Sequence, residues 1–235
     1  RRFTGHHGGA VNALAYCLDP DEVLTGSRDG SIRHWNRLTG DLLRRWYAHE
    51  GTVGSIAVSP DGQYALSYGG GLLAETVIST GRPRLGWERH AGSVTAAAWV
   101  PGTDRVISGS SDGTLRLWDL TTGESLRAIT GAELGAWCVA VSPDGSRAAA
   151  GCKDGVLREF RIEDGELLRE LRGHLGYVRS AAYAGDGERV VSSADDGSIR
   201  VWSADRDEAA LVLRGHLGGV LAIAVSADGQ RLLTG

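Results

Sequence analysis

His90, Ser108 and Asp112 are the residue types of a nucleophilic hydrolase: an imidazole base, a hydroxyl and an orienting carboxylate. Trp118 follows them. The same set returns as His174, Ser192, Asp196 and Trp202, and again as His7 (or its neighbour His6), Thr25, Asp29 and Trp35. A hydrolase needs one such site, with an exposed nucleophile and an oxyanion pocket beside it. Copies spaced along the whole chain point to a structural role, and no catalytic residue is expected among them.

Other chemistry-bearing residues give less. Cys17, Cys138 and Cys152 are too few and too scattered for a disulfide scaffold or a zinc site. His34 occupies a strand position held by Leu117 and Val201 elsewhere, which reads as a packed histidine. Gly69-Gly70-Gly71 is followed by no Lys-Ser/Thr and no helix, so it is a slack turn rather than a phosphate loop. No metal and no cofactor is expected.

The elements that position these residues recur. Starting from His7, the register positions His49, His90, Ala132, His174 and His216 follow at steps of 42, 41, 42, 42 and 42 residues. Each unit opens with runs such as "RGHLGYVRSAAYAGDG" and continues with runs such as "SGSSDGTLRLWD". Four strand-like runs fill each unit. In the first they are residues 11–16, 23–27, 31–36 and 41–46, separated by turn clusters such as Asp19-Pro20-Asp21 and Thr39-Gly40. Alanine crowds the first strand of each unit, and a large residue (Phe3, Trp46, Trp87, Ile129, Leu171, Leu213) anchors the last.

A period of 40–45 residues with Gly-His early and Trp-Asp late resembles the WD40 repeat. The resemblance covers essentially the whole chain. It implies an all-β fold, a β-propeller of four-stranded WD40 blades, with units near 5–47, 48–88, 89–130, 131–172, 173–214 and a partial 215–235. Five units are complete and partial ones stand at both ends. We therefore expect a single propeller region cut from a longer chain, with a parent ring of seven blades rather than six, since unclosed propellers expose strand edges. The resemblance further implies that His, Ser/Thr, Asp and Trp lock each blade as a hydrogen-bonded tetrad. With one histidine per blade, they cannot converge on one metal ion. Two units break the tetrad: the second has Gly71 and Val77 at the Asp and Trp positions, and the fourth has Ala132, Ala150 and Phe160. Both read as drift tolerated by neighbouring blades.

Composition bounds the function. A net charge of −4 over 235 residues disfavours a nucleic-acid partner, and no apolar run approaches the ~18 residues of a membrane span. Lys153 is the one lysine among 25 basic residues, which with the many Ala and Gly points to a GC-rich bacterial gene; a cytoplasmic protein is expected. The resembled family binds partners on one rim, at the residue five after each histidine and the residue before each Asp-Gly. Those positions are Asn12, Trp137, Arg179 and Leu221, and Arg28, Ser111, Lys153 and Asp195; Gly54, Gly70 and Thr95 complete the rim with small residues. Trp137, Lys153 and Arg179 are expected to cluster, favouring a protein or peptide partner with an acidic or phosphorylated segment. The expected function is a non-catalytic protein–protein interaction scaffold, the sensor or regulatory part of a larger bacterial signalling protein linked to a kinase or NTPase. The alternative is a propeller enzyme of the quinoprotein type. Its Thr-Gly-Lys-x-x-Trp turn is not matched by Thr39-Gly40 or Thr122-Gly123.

Overall fold

The structure, a computed structural model, describes residues 8–69, 71–85, 90–226 and 228–235. Among them there is no helix, and therefore none long and apolar enough to cross a membrane. The chain is all-β and repeats one four-stranded antiparallel sheet. The first sheet holds β1 (Val11–Tyr16), β2 (Glu22–Ser27), β3 (Ser31–Asn36) and β4 (Leu42–Tyr47). The second holds β5 (Ser55–Val58), β6 (Tyr64–Gly69), β7 (Leu72–Val77) and β8 (Arg82–Leu85). The third holds β9 (Val94–Val100), β10 (Arg105–Ser110), β11 (Thr114–Asp119) and β12 (Ser125–Thr130). The fourth holds β13 (Ala136–Val141), β14 (Arg147–Cys152), β15 (Leu157–Arg161) and β16 (Leu167–Leu171). The fifth holds β17 (Val178–Tyr183), β18 (Arg189–Ala194), β19 (Ser198–Ser203) and β20 (Ala209–Arg214). A two-stranded sheet of β21 (Ile223–Val225) and β22 (Leu232–Thr234) ends the chain.

The chain divides into two compact units, residues 1–97 with 122–124 and residues 98–121 with 125–235. In the first unit, Leu24, Ile32 and Trp46 of the first sheet share an apolar cluster with Val53, Ile56, Ala65 and Ile78 of the second. In the second unit, Leu157 and Leu171 of the fourth sheet meet Val178, Val190 and Trp202 of the fifth, and β13 lies beside β17. Small residues permit this approach. A Cβ on Gly151 would lie 2.4 Å from Cys138 Sγ and 2.6 Å from Val178 Cγ1.

Two expectations about packing are corrected. Trp46, Ile129 and Leu171 are buried anchors, but Leu213 is 37% exposed. Trp202 of a third strand shares the apolar cluster of Leu171, whereas among the described residues the β21–β22 sheet sets no such side chain over Leu213. Phe3 and Trp87 lie outside the described residues. The second correction concerns the expected slack turn: Gly69 pairs directly with Leu72, so β6 and β7 form a tight hairpin. Thr76 stands opposite Ala65 there, as Trp35 stands opposite Val23 in the first sheet. Gly71 has φ +85°, matching the Asp-Gly glycine Gly30 at +82°. The second repeat is therefore one residue shorter in this turn. Thr76 rather than Val77 holds the tryptophan position, and Gly71 holds that of the glycine rather than of the aspartate.

Candidate functional site

The tetrads come first because they fix the loops. In the fifth sheet Trp202 Nε1 donates to Ser192 Oγ at 2.8 Å, and His174 Nε2 lies 2.8 Å from the same hydroxyl. His174 Nδ1 lies 3.1 Å from Ser198 Oγ and 3.4 Å from either oxygen of Asp196. Burial alone would push the Asp196 carboxyl up. The Leu175 N–H, the Ser198 hydroxyl and N–H, and His174 together outweigh it and hold the carboxyl at about 2. Burial holds the His174 imidazole below the ordinary value, against the pull of Asp196.

Other copies repeat parts of this arrangement. Trp118 Nε1 donates to Ser108 Oγ at 2.7 Å, and Asp112 Oδ1 accepts from the Thr114 N–H at 2.9 Å; His90 is buried nearby in sequence. In the first sheet Trp35 Nε1 donates to Thr25 Oγ1 at 2.8 Å and Asp29 Oδ1 accepts from the Ser31 N–H at 3.0 Å. His6 and His7 lie outside the described residues. Ser108 and Ser192 have no exposed surface, so neither hydroxyl can meet a substrate as a nucleophile.

The broken copies differ in kind. The fourth sheet replaces His, Ser and Trp together by Ala132, Ala150 and Phe160, all fully buried in one apolar cluster. Its Asp154 turns instead to Arg158 at 2.7 Å, and Arg158 Nε reaches Glu170 at 2.8 Å. Removing the polar partners as a set leaves none of them buried and unpaired. The second sheet keeps His49, 2.9 Å from Ser67 Oγ, but its Nδ1 lacks a well-formed hydrogen bond. Burial lowers the His49 pKa, opposed by the Gly69 backbone.

The rim residues owe their direction to the backbone. The ladder between β13 and β14 shifts register between Ala136 and Cys138, and that between β17 and β18 shifts between Val178 and Ser180. Trp137 and Arg179 are the extra residues of these two β-bulges, and Asn12 is that of a third, between Val11 and Ala13. A bulge leaves one residue out of the ladder and re-aims its side chain. The Trp137 and Tyr177 rings stack with centroids 6.1 Å apart and planes at 26°. The Arg179 guanidinium lies 5.1 Å from the Trp137 centroid and 5.2 Å from that of Tyr177; Lys153 Nζ lies 5.3 Å from Tyr177. Trp137, Tyr177 and Arg179 are half-buried and Lys153 is exposed.

Asp195 joins this cluster. Arg179 donates to both of its oxygens at 2.7 Å, which lowers the Asp195 pKa and raises that of Arg179. The expectation of two free cations is thereby corrected: Arg179 is already bidentate on a carboxylate, and Lys153 makes no ion pair among the described residues. Arg28, Ser111 and Leu221 are exposed, and Asn12 and Arg28 belong to the first unit. Sequence reasoning missed Tyr177. Its signal was present, because the matching positions in other repeats are the small residues Thr52, Ser93, Gly135 and Gly219.

A hydrogen bond from Trp to Ser or Thr recurs in the first, third and fifth sheets, and a positive-φ glycine stands at the same turn in all five four-stranded sheets. The profile of the WD domain, G-beta repeat matches residues 1–36, 40–73, 81–119, 123–160, 165–203 and 208–235. The chain belongs to the WD40 repeat family. It is 30% identical over 117 residues to autophagy-related protein 16 of Arabidopsis thaliana, covering 48% of this chain and 23% of that protein. It is 27% identical over 121 residues to the U5 small nuclear ribonucleoprotein 40 kDa protein of Dictyostelium discoideum, covering 50% and 34%. It is 28% identical over 143 residues to the guanine nucleotide-binding protein subunit beta of Zea mays, covering 53% and 35%. The matches thus span between about a fifth and about a third of these curated relatives. Each WD40 match after the first starts at or before the outer strand that precedes its sheet.

The structure also gathers a group that sequence reading had dispersed. Cys17, Glu22 and His34 bring a thiol, a carboxylate and an imidazole within 4.8 Å of one another. Cys138 and Cys152, on adjacent strands β13 and β14, are free thiols buried among apolar neighbours, and burial pushes them up to about 12 and about 11.

Proposed function

We propose that this chain is a non-catalytic protein-interaction module whose contact surface centres on Trp137, Tyr177, Lys153 and Arg179. WD40 repeats typically serve as protein-interaction scaffolds, which supports the class. The observation that carries the site is the half-buried Trp137–Tyr177 stack with two cations against its rings. An indole already oriented by its neighbours gives up little rotamer freedom on binding, and aromatic and arginine side chains dominate interface energetics. Asp195 fixes Arg179 as a wall of the stack, so the selective charge is the ammonium of Lys153. It favours an acidic or phosphorylated protein segment laid across the aromatic face. We further propose a cytoplasmic setting as the sensory or regulatory part of a larger bacterial signalling protein, kinase- or NTPase-linked: the arginine-rich, lysine-poor composition supports the bacterial origin, and the resemblance to bacterial WD40 arrays supports the linkage.

An array of acidic, phosphorylated and neutral peptides tests this reading. The expected outcome is selective capture of acidic or phosphorylated segments, with the preference lost in Lys153→Glu. Equal capture of neutral segments, or a preference untouched by Lys153→Glu, would contradict it.

A further inference from the structure

Neither the tetrads nor the rim uses Cys17, Glu22 and His34, and all three lie in the first unit. Strand register puts them together. The Cys17 N–H donates to the Glu22 carbonyl at 3.0 Å, closing the β1–β2 hairpin, while Leu24 pairs with both Ala15 and His34. Side chains alternate along a strand, so Cys17 shares a face with Ala15, Glu22 with Leu24, and His34 with both. His34 Nε2 is the focus, 2.8 Å from Glu22 Oε2 and 3.8 Å from Cys17 Sγ.

We propose that Cys17, Glu22 and His34 form a binding site for a divalent transition-metal ion of the zinc class, with water as the fourth ligand. The donor set is that of a borderline-soft ion: sulfur, imidazole nitrogen and carboxylate oxygen. Tetrahedral bonds of about 2.3 Å to sulfur and about 2.0 Å to nitrogen place those two atoms about 3.5 Å apart, close to the separation seen here. The nitrogen–oxygen distance must open to about 3.3 Å. Glu22, whose side chain is 32% exposed, can turn to open it.

The repeat supplies a comparison within the chain. In the fourth sheet the matching residues are Ser142, Arg147 and Glu159, where Arg147 Nη1 lies 3.8 Å from the fully buried Glu159 carboxylate. That sheet carries its own cation. In the fifth sheet they are Ala184, Arg189 and Val201, with no ligand set at all. The first sheet alone among these three combines three metal-binding side chains. On binding, the thiol proton leaves to solvent, and the ion takes the place of the proton that His34 Nε2 donates to Glu22, the imidazole then carrying its proton on Nδ1 by exchange with solvent.

Cobalt(II) titration of the purified chain tests the site, because a thiolate ligand adds a charge-transfer band to the tetrahedral visible bands. The expected result is one equivalent of cobalt with both features, displaced by zinc, and a melting temperature raised by zinc. Cys17→Ser should abolish the charge-transfer band. His34→Leu, which installs the residue type of Leu117, should weaken binding at least tenfold while the chain stays folded by circular dichroism. A wild-type chain that shows no charge-transfer band, or a band that survives Cys17→Ser, would overturn the proposal.

Discussion

At the scale of single residues, the tetrads show how a polar group inside a sheet can be either kept whole or removed whole. His174, Ser192, Asp196 and Trp202 satisfy one another, while Ala132, Ala150 and Phe160 remove the need. Asp196→Ala should therefore destabilise by ~1–3 kcal/mol, since it strips partners from buried His174 and Ser198; chemical denaturation measures it. Acid should act through the same groups. Burial depresses His49 and His174 in the folded state, so below the ordinary value of 6.5 the unfolded chain takes up protons that the folded chain does not. Stability must fall as pH drops from 7 to 5, by at most about 1.4 kcal/mol per pH unit for each histidine. Asp196, held at about 2 against an ordinary 3.8, adds a second loss only below that ordinary value. Melting curves between pH 7.5 and 3 should fall in that order, and a flat curve between pH 7 and 5 would count against buried neutral histidines.

At the scale of elements, period and turn chemistry made most strands legible. The run 11–16 is β1 and the run 31–36 is β3, because turn clusters such as Asp19-Pro20-Asp21, Asp29-Gly30 and Thr39-Gly40 bound them. Register was not legible at the second repeat, where one residue dropped from the Gly69–Gly71 hairpin moves Thr76 into the tryptophan place. A spacing count carried across that turn lands one residue late. The bulges at Trp137 and Arg179 were also invisible, although they are what turns those side chains out of the ladder. Tyr177 lies off the fixed rim offsets, and its signal is size alone, a large residue where other repeats hold Thr52, Ser93, Gly135 and Gly219. Close approach of neighbouring sheets makes a further test: Gly151→Ala should cost ~1–3 kcal/mol by overpacking against Cys138 and Val178. A mutant as stable as the parent would show that the fourth and fifth sheets have room to spare.

At the scale of the whole molecule, circular dichroism should show a β spectrum without helical minima, in keeping with repeated four-stranded sheets. Function then rests on which surface the repeats leave chemically unlike the rest. The proposed surface is the Trp137–Tyr177 stack, with Lys153 against the Tyr177 ring and Arg179 held by Asp195. Burying an indole contributes about 2 kcal/mol or more at a contact, whereas the small rim residues Gly54 and Thr95 offer little apolar area. The decisive measurement is the affinity of an acidic or phosphorylated peptide for the parent chain and for Trp137→Ala, taken beside their melting temperatures. We predict at least a tenfold loss of affinity with a nearly unchanged melting temperature; a large fall in melting temperature with unchanged affinity would make Trp137 a packing residue and contradict the account.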